Sequence, residues 1–439
     1  MFPILAFIII SLATAIQNGY DYIIMGGGTG GLVVANRLSE DPNVSVPWNR
    51  DPNGGRVRGF TVHPATIEAG EYVRSDAARA YYWPVLFRMN LHVMCNTTGD
   101  RIIWEEREGD DLVAVGVEVR DENGSRVIHV KREVILAAGV FRSPVILQLL
   151  GVGNRRILEK HGITTRIDLP TVGENLQEQI NNSMAVSTHE KISGSRSTAY
   201  VSASDIFGEE VGGIANSLAA KLPQYARQAA KANGDTNTTN LECLFNIQYD
   251  LIFNKSVPIA EFRVNPGNKA KTAGYWGLLP FSRGNVHIAS ADPTERPIIN
   301  PNYGVVDFDI EFQVAMAKFV RQMFHSRPLN GLVASESHPG YDRIPEESPD
   351  DIWREWIRNE YLTNYHPIGT LAMMPRSMGG VVDHRLKVYG TRNVRVVDAS
   401  IHPIQLCGHP TSSIYAIGEM VSDFIKAEWV KERADCRDE

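Results

Sequence analysis

The chain has 439 residues, more than a single hydrophobic core ordinarily supports, so two domains are expected. With 43% hydrophobic and 22% charged residues it has the composition of a soluble globular protein, and a net charge of −7 without any basic run argues against a nucleic-acid partner. Its four cysteines (Cys95, Cys243, Cys407 and Cys436) are widely spaced and form no CxxC or CxxH pair, which argues against a zinc site and leaves the pairing of any disulfide open.

An apolar run from Phe2 to Ile10 ends in Ala13-Thr14-Ala15, the small-x-small pattern of a signal-peptidase site. The run is too short to span a bilayer, and polar Gln17-Asn18-Gly19 follows at once, so no stable membrane anchor is expected. Secretion is the expectation. Asn-x-Ser/Thr sequons at Asn43, Asn96, Asn123, Asn181, Asn237 and Asn254 fit an N-glycosylated protein on that route.

Tyr20 to Met25 predicts a short buried strand, followed by the glycine turn Gly26 to Gly31 and a helix over Leu32 to Leu38. Val44-Ser45-Val46 begins a second strand that stops at Pro47. Short β-type runs then follow at Leu91–Met94, Arg101–Trp104, Val113–Val119 and Arg126–Val130, with Asp121 to Gly124 as a hairpin turn. Glu133 to Gly139 predicts another buried strand, leading to a helix opened by Ser143-Pro144 as cap and first-turn proline. Residues 219–240 predict surface helix and loop, and apolar Ile310, Val314, Ala317, Val320 and Phe324 predict an amphipathic helix.

Gly26, Gly28 and Gly31 match GxGxxG between a strand and a helix, the context in which that motif predicts dinucleotide binding. The first glycine permits the tight turn, the second lets backbone approach a pyrophosphate, and the third lets helix pack on sheet. An acidic residue about twenty positions on should hold the ribose hydroxyls. Asp51 has that spacing, but it follows the strand-breaking Pro47.

GGGTGGLVVANRLSEDPNVSV resembles the opening of the glucose–methanol–choline (GMC) FAD-dependent oxidoreductases. GVFRSPVILQLLGVG at Gly139 to Gly153 resembles their second signature, and DLPTVGENLQ at Asp168 to Gln177 is similar to their segment near the flavin, followed here by Glu178-Gln179 where Asp-His is common. Tyr365 to Thr370, Val396 to Ser400 and Cys407 to Thr411 resemble the family's catalytic end. The closest likeness is to fungal aryl-alcohol and glucose-type members, including those of secondary metabolism.

The resemblance implies an α/β fold, α+β overall: a Rossmann-like FAD-binding domain with a discontinuous substrate domain built on an antiparallel sheet. After the signal peptide expected at 1–15, it places the FAD-binding domain at 16–46, 84–180 and 350–439, and the substrate domain at 47–83 and 181–349. It also implies FAD as cofactor and a small-molecule alcohol as substrate. Gly26, Gly28, Thr29, Gly31, Asp398, Ala399, Pro410 and Thr411 would meet the cofactor, with Gly99 near its adenine. His366 and His409 would be the catalytic pair, His366 as base and His409 as partner, with the reverse assignment open. In the family the second strand continues to a Glu-Ala-Gly and a long segment against the flavin follows. Here Val46 runs directly into Pro47, and Arg50 stands where the glutamate is expected, which implies an internal deletion and newly exposed apolar surface.

Overall fold

Tyr20–Met25 is a strand because Tyr22, Ile23, Ile24 and Met25 are buried from both sides, as a central parallel strand requires. The computed structural model describes residues 7–10, 20–26, 28–38, 65–68, 70–105, 111–194, 196–234, 236–267, 269–327 and 329–435. Asn43, the Val46–Pro47 junction, Arg50, Asp51 and Cys436 lie outside them. Cys95, Cys243 and Cys407 are free thiols.

The first sheet is built on three parallel strands. Gly124–Leu136 lies between Tyr20–Met25 and Val394–Val396, with Ile135 opposite Ile24 and Arg395. Beyond it stand the antiparallel strands Ala114–Asp121 and Thr98–Trp104. On the far side of Tyr20–Met25 the neighbour is Phe7–Ile10, within the run assigned above to a leader, and beyond it Leu91–Met94, both antiparallel. Strands are thus parallel only in the middle of the sheet.

Two expectations are corrected here. The runs at Arg126–Val130 and Glu133–Gly139 form one strand of 13 residues, Gly124–Leu136. Its first half closes the hairpin at Asp121 to Gly124, and its second half enters the parallel sheet. The following helix starts at Gly139 and carries Pro144 inside it. Gly139 has φ of +82°, a left-handed turn that passes the chain from strand to helix, and the Ala138 N–H is met by the Ser143 hydroxyl from inside the helix. Proline lacks the N–H that would bond the Val140 carbonyl, and the Thr370 hydroxyl donates to that oxygen instead, at 2.7 Å.

The second sheet is antiparallel, with Ile180–Thr188, Ala270–Gly277, Ala260–Asn265 and Ser197–Val201 side by side. The predicted amphipathic helix is Asp307–His325, and its buried Ile310, Val314, Ala317 and Val320 belong to the core beneath this sheet. Asp350–Glu360 contributes Trp353, Trp356 and Ile357 to the same core, and Leu362–Thr363 pairs with Ile180-Asn181. The first core therefore takes up the chain again only after Thr363. Tyr72 (84% exposed), Phe87 (77%) and Met89 (80%) stand in water just past the expected deletion, the kind of apolar exposure such a loss should leave.

Candidate active site

The glycine turn is as tight as its spacing predicts. A Cβ on Gly26 would overlap the Ala137 carbonyl, and one on Gly31 would overlap the Gly26 carbonyl. Gly30, which the motif leaves unspecified, is equally constrained because a Cβ there would overlap the Val397 carbonyl. Gly28 faces open space, at the start of the helix Thr29–Leu38. The backbone N–H groups of that first turn have no carbonyl within the helix to bond. Gly28 and Thr29 are thus the open positions, while Gly26 and Gly31 close the turn.

Asp398 sits at the C-terminal end of Val394–Val396, beside this turn, where ligands collect in such sheets. Its carboxylate is fully occupied within the protein. One oxygen accepts from the Gly139 N–H at 2.9 Å and the Ser143 hydroxyl at 2.6 Å, the other from the N–H and hydroxyl of Ser400 at 2.9 and 2.5 Å. The side chain therefore fastens the ends of two strands together, and since the carbonyls of Asp398 and Ala399 also accept within the protein, the backbone N–H groups of 398–399 are the part left to meet a ligand. Pro410 and Thr411 open the long helix Thr411–Asp435, which packs along Thr29–Leu38. A Cβ on Gly418 would press into Val33, so the two helices touch closely. Gly99 lies in the outermost strand, Thr98–Trp104, with two strands between it and Tyr20–Met25.

His366 and His409, 43 positions apart, come together: their ring centroids are 4.7 Å apart and the rings meet edge to face at 81°. His366 joins the glycine turn through a short chain of contacts. Gly369 donates to the Ala399 carbonyl at 3.3 Å, and Val397, two residues earlier, abuts Gly30. His366 Nδ1 lies 3.0 Å from the Gln179 amide oxygen and 2.9 Å from the Asn364 amide nitrogen. With Nδ1–H donated to Gln179, Nε2 carries the free lone pair. Burial first, then the nearby His409 and Arg263, hold the His366 pKa down to about 4, so the ring is neutral at neutral pH.

Sequence reasoning missed the residue that orients the second histidine. His409 Nε2 lies 3.0 Å from the carboxylate of Glu261, a residue with no exposed surface. Glu261 is on Ala260–Asn265, directly opposite Tyr200 on one side and Trp276 on the other. Burial, and next the charge of Glu261, pushes the Tyr200 phenol well above its ordinary range. Trp276 sets its ring edge-on to both imidazoles, at 6.5 and 5.9 Å. Nothing in the local text AEFRVN marks this glutamate, because only strand pairing brings it to His409.

Glu178 and Gln179, the departure from the family's usual pair, flank His366. Glu178 accepts the His366 N–H at 3.1 Å, its neighbour's N–H at 2.8 Å and the Thr363 hydroxyl at 3.0 Å. These bonds hold the turn through Tyr365, whose φ is +61°. Burial raises the Glu178 pKa to about 7 despite those three donors. A raised carboxyl contributes stability that is complete below its unfolded pKa near 4.5 and is lost as pH rises through about 7. Glu178→Gln keeps the amide-oxygen acceptor and removes the titration. Its melting temperature should therefore fall less than wild type's between pH 5 and pH 8, the difference corresponding to about 2–3 kcal/mol. Equal slopes for the two proteins would contradict the assignment.

Two GMC oxidoreductase family models match the chain, the N-terminal one over residues 40–181 and the C-terminal one over 280–418. A glucose oxidase-like protein of Humicola fuscoatra, fsoC, is 42% identical over 87% of this chain and 66% of its own length. The glucose oxidase of Aspergillus carbonarius is 33% identical over 88% of this chain and 64% of its own. The chain thus spans less than two thirds of either relative. Among solved structures, an FAD-dependent oxidoreductase from Chaetomium thermophilum superposes with a TM-score of 0.78 at 26% identity, covering 91% of this chain and 72% of that one. A fungal aryl-alcohol oxidase superposes with a TM-score of 0.77 at 25% identity, covering 90% and 70%.

Proposed function

The chain belongs to the GMC oxidoreductase family, and from that premise we propose that it is an FAD-dependent enzyme that oxidises the alcohol group of a small molecule. The observation that carries this reading is the imidazole pair, His366 and His409 with centroids 4.7 Å apart, tied by Gly369–Ala399 to the glycine turn.

The residues present fit FAD at its pyrophosphate. Gly28 opens onto unfilled space at a helix N-terminus, and the neighbouring glycines admit no side chain. The ribose-binding position falls outside the described residues. Bound there, FAD would supply the hydride acceptor. The protein's own part is proton transfer and orientation. His366 Nε2 takes the hydroxyl proton of the alcohol while Nδ1–H stays fixed on the Gln179 amide oxygen, which Asn364 holds from its other side. His409, oriented by Glu261, steadies the alkoxide-like charge that grows on the substrate oxygen. The names of the relatives, glucose oxidase and aryl-alcohol oxidase, support a sugar-like or aromatic alcohol.

Secretion is part of the same reading. Asn96, Asn123, Asn237 and Asn254 are exposed and open to glycosylation. Asn181 instead donates to Asn364 at 2.9 Å, inside the site, where a glycan has no room.

One preparation tests the proposal: protein collected from the culture medium of an expressing fungus, checked for a mobility shift on deglycosylation. A yellow protein whose flavin absorbance bleaches anaerobically with an aryl or sugar alcohol is expected. A yellow protein that no alcohol bleaches points to non-redox chemistry on the same fold, and a colourless one to an inactive, shortened family member. Either would overturn the oxidation reading.

A further inference from the structure

The antiparallel sheet presents a polar wall to the two imidazoles, and that wall has unmet hydrogen-bonding demand. Cross-strand pairing sets Tyr200, Glu261, Trp276 and Asn181 in one row. The next residue on the same face of Ala260–Asn265 is Arg263, because side chains alternate with a period of two. Its neighbours across the strands are Thr198 and Gly274, one small and one without a side chain. Three buried polar atoms in these two rows have no protein partner: Glu261 Oε2, Trp276 Nε1 and Arg263 Nε. Buried polar groups are ordinarily satisfied, so a cluster of three beside the reactive imidazoles marks the place of a ligand rather than a packing fault.

Arg263 sets the ligand's chemistry. Among the described residues no carboxylate forms an ion pair with it, and Glu261 is engaged with His409 instead. A half-buried guanidinium without an anion carries a desolvation cost that a bound carboxylate would relieve, in the forked geometry arginine favours. It shares a strand face with Glu261, which reaches His409, and its charge also acts on His366.

We propose that Arg263 binds a carboxylate on the substrate, so that the preferred alcohols are hydroxymethyl compounds bearing an anionic group. This rests on the alcohol-oxidation reading above and narrows its substrate class.

The experiment compares wild-type, Arg263→Gln and Arg263→Lys proteins, full chain, with benzyl alcohol and 4-(hydroxymethyl)benzoate as alternative substrates and benzoate as a non-reactive probe. For wild type, kcat/KM for the acid should exceed that for benzyl alcohol by at least about tenfold. That ratio should collapse in Arg263→Gln and recover in part in Arg263→Lys, the change lying mainly in KM. Calorimetry with benzoate, which needs no turnover, should show binding to wild type that Arg263→Gln loses. A ratio near one in wild type, or a ratio unchanged in Arg263→Gln, overturns the proposal while leaving alcohol oxidation standing. If no alcohol reduces the flavin, oxidation itself has failed, and benzoate calorimetry then decides the Arg263 site alone: binding lost in Arg263→Gln upholds it, and absent or unchanged binding overturns it.

Discussion

Replacing His366 by alanine should slow alcohol-dependent flavin reduction by about 100- to 10,000-fold, the range a positioned general base contributes. The protein should stay yellow, because His366 reaches the glycine turn only indirectly, through Gly369 and Ala399. Anaerobic stopped-flow absorbance measures the rate, and a value within about threefold of wild type would remove this imidazole from proton transfer. The pH dependence follows from the same ring. With its pKa held to about 4, His366 is a competent base at any higher pH. The wild-type rate should be insensitive to this group above pH 5 and fall as the solution is acidified through about 4. The folded protein also binds fewer protons at this ring than the unfolded chain between about pH 4 and 6.5, so His366 contributes a loss of stability as pH drops through that window.

The second large effect is on stability. Arg395 has no exposed surface, and its guanidinium binds both oxygens of Glu133, at 2.6 and 3.1 Å, and Glu428 at 2.7 Å, while donating to the Arg385 carbonyl at 2.7 Å. It thereby joins the Val394–Val396 strand to its parallel neighbour and to the long C-terminal helix. Burial alone would raise the Glu428 pKa, but Lys387, Arg385 and Arg395 outweigh it and hold the carboxyl at about 2. Arg395→Ala leaves these carboxylates facing an empty, water-poor space and should cost about 3–5 kcal/mol. Urea unfolding followed by near-ultraviolet circular dichroism would measure it. A loss below about 1 kcal/mol would mean that water reaches the cluster freely. Since Asp398 is anchored three residues on, cofactor retention should fall in parallel with stability.

Much of the site was legible because its parts are local signatures. A glycine turn between strand and helix announces itself, since each glycine answers a nearby steric demand: Gly26 against Ala137, Gly31 against Gly26. The two histidines were legible through the short phrases around them. Glu261 and Arg263 were not. They alternate along an ordinary half-buried strand, and what they do depends on its pairing with Ser197–Val201 and Ala270–Gly277. Asp398 stood out in the sequence as a candidate to meet the cofactor, but its occupation by Gly139, Ser143 and Ser400 did not, because two of those partners are more than 250 positions away.

The sequence by itself determined the glycine turn, the hairpin at Asp121 to Gly124, the helical stripe of Asp307–His325 and the likeness of six separate segments to one family. These depend on φ/ψ preferences and on periodicities within a few turns of chain, which physics writes locally. Only the tertiary structure decided that the Gly124–Leu136 strand runs unbroken, that Thr370 replaces the bond lost at Pro144, and that a buried glutamate two positions from an arginine without an anion reaches one of two adjoining imidazoles. Those outcomes depend on strand register and on which distant groups desolvate together, and such couplings exist only once the chain has closed on itself.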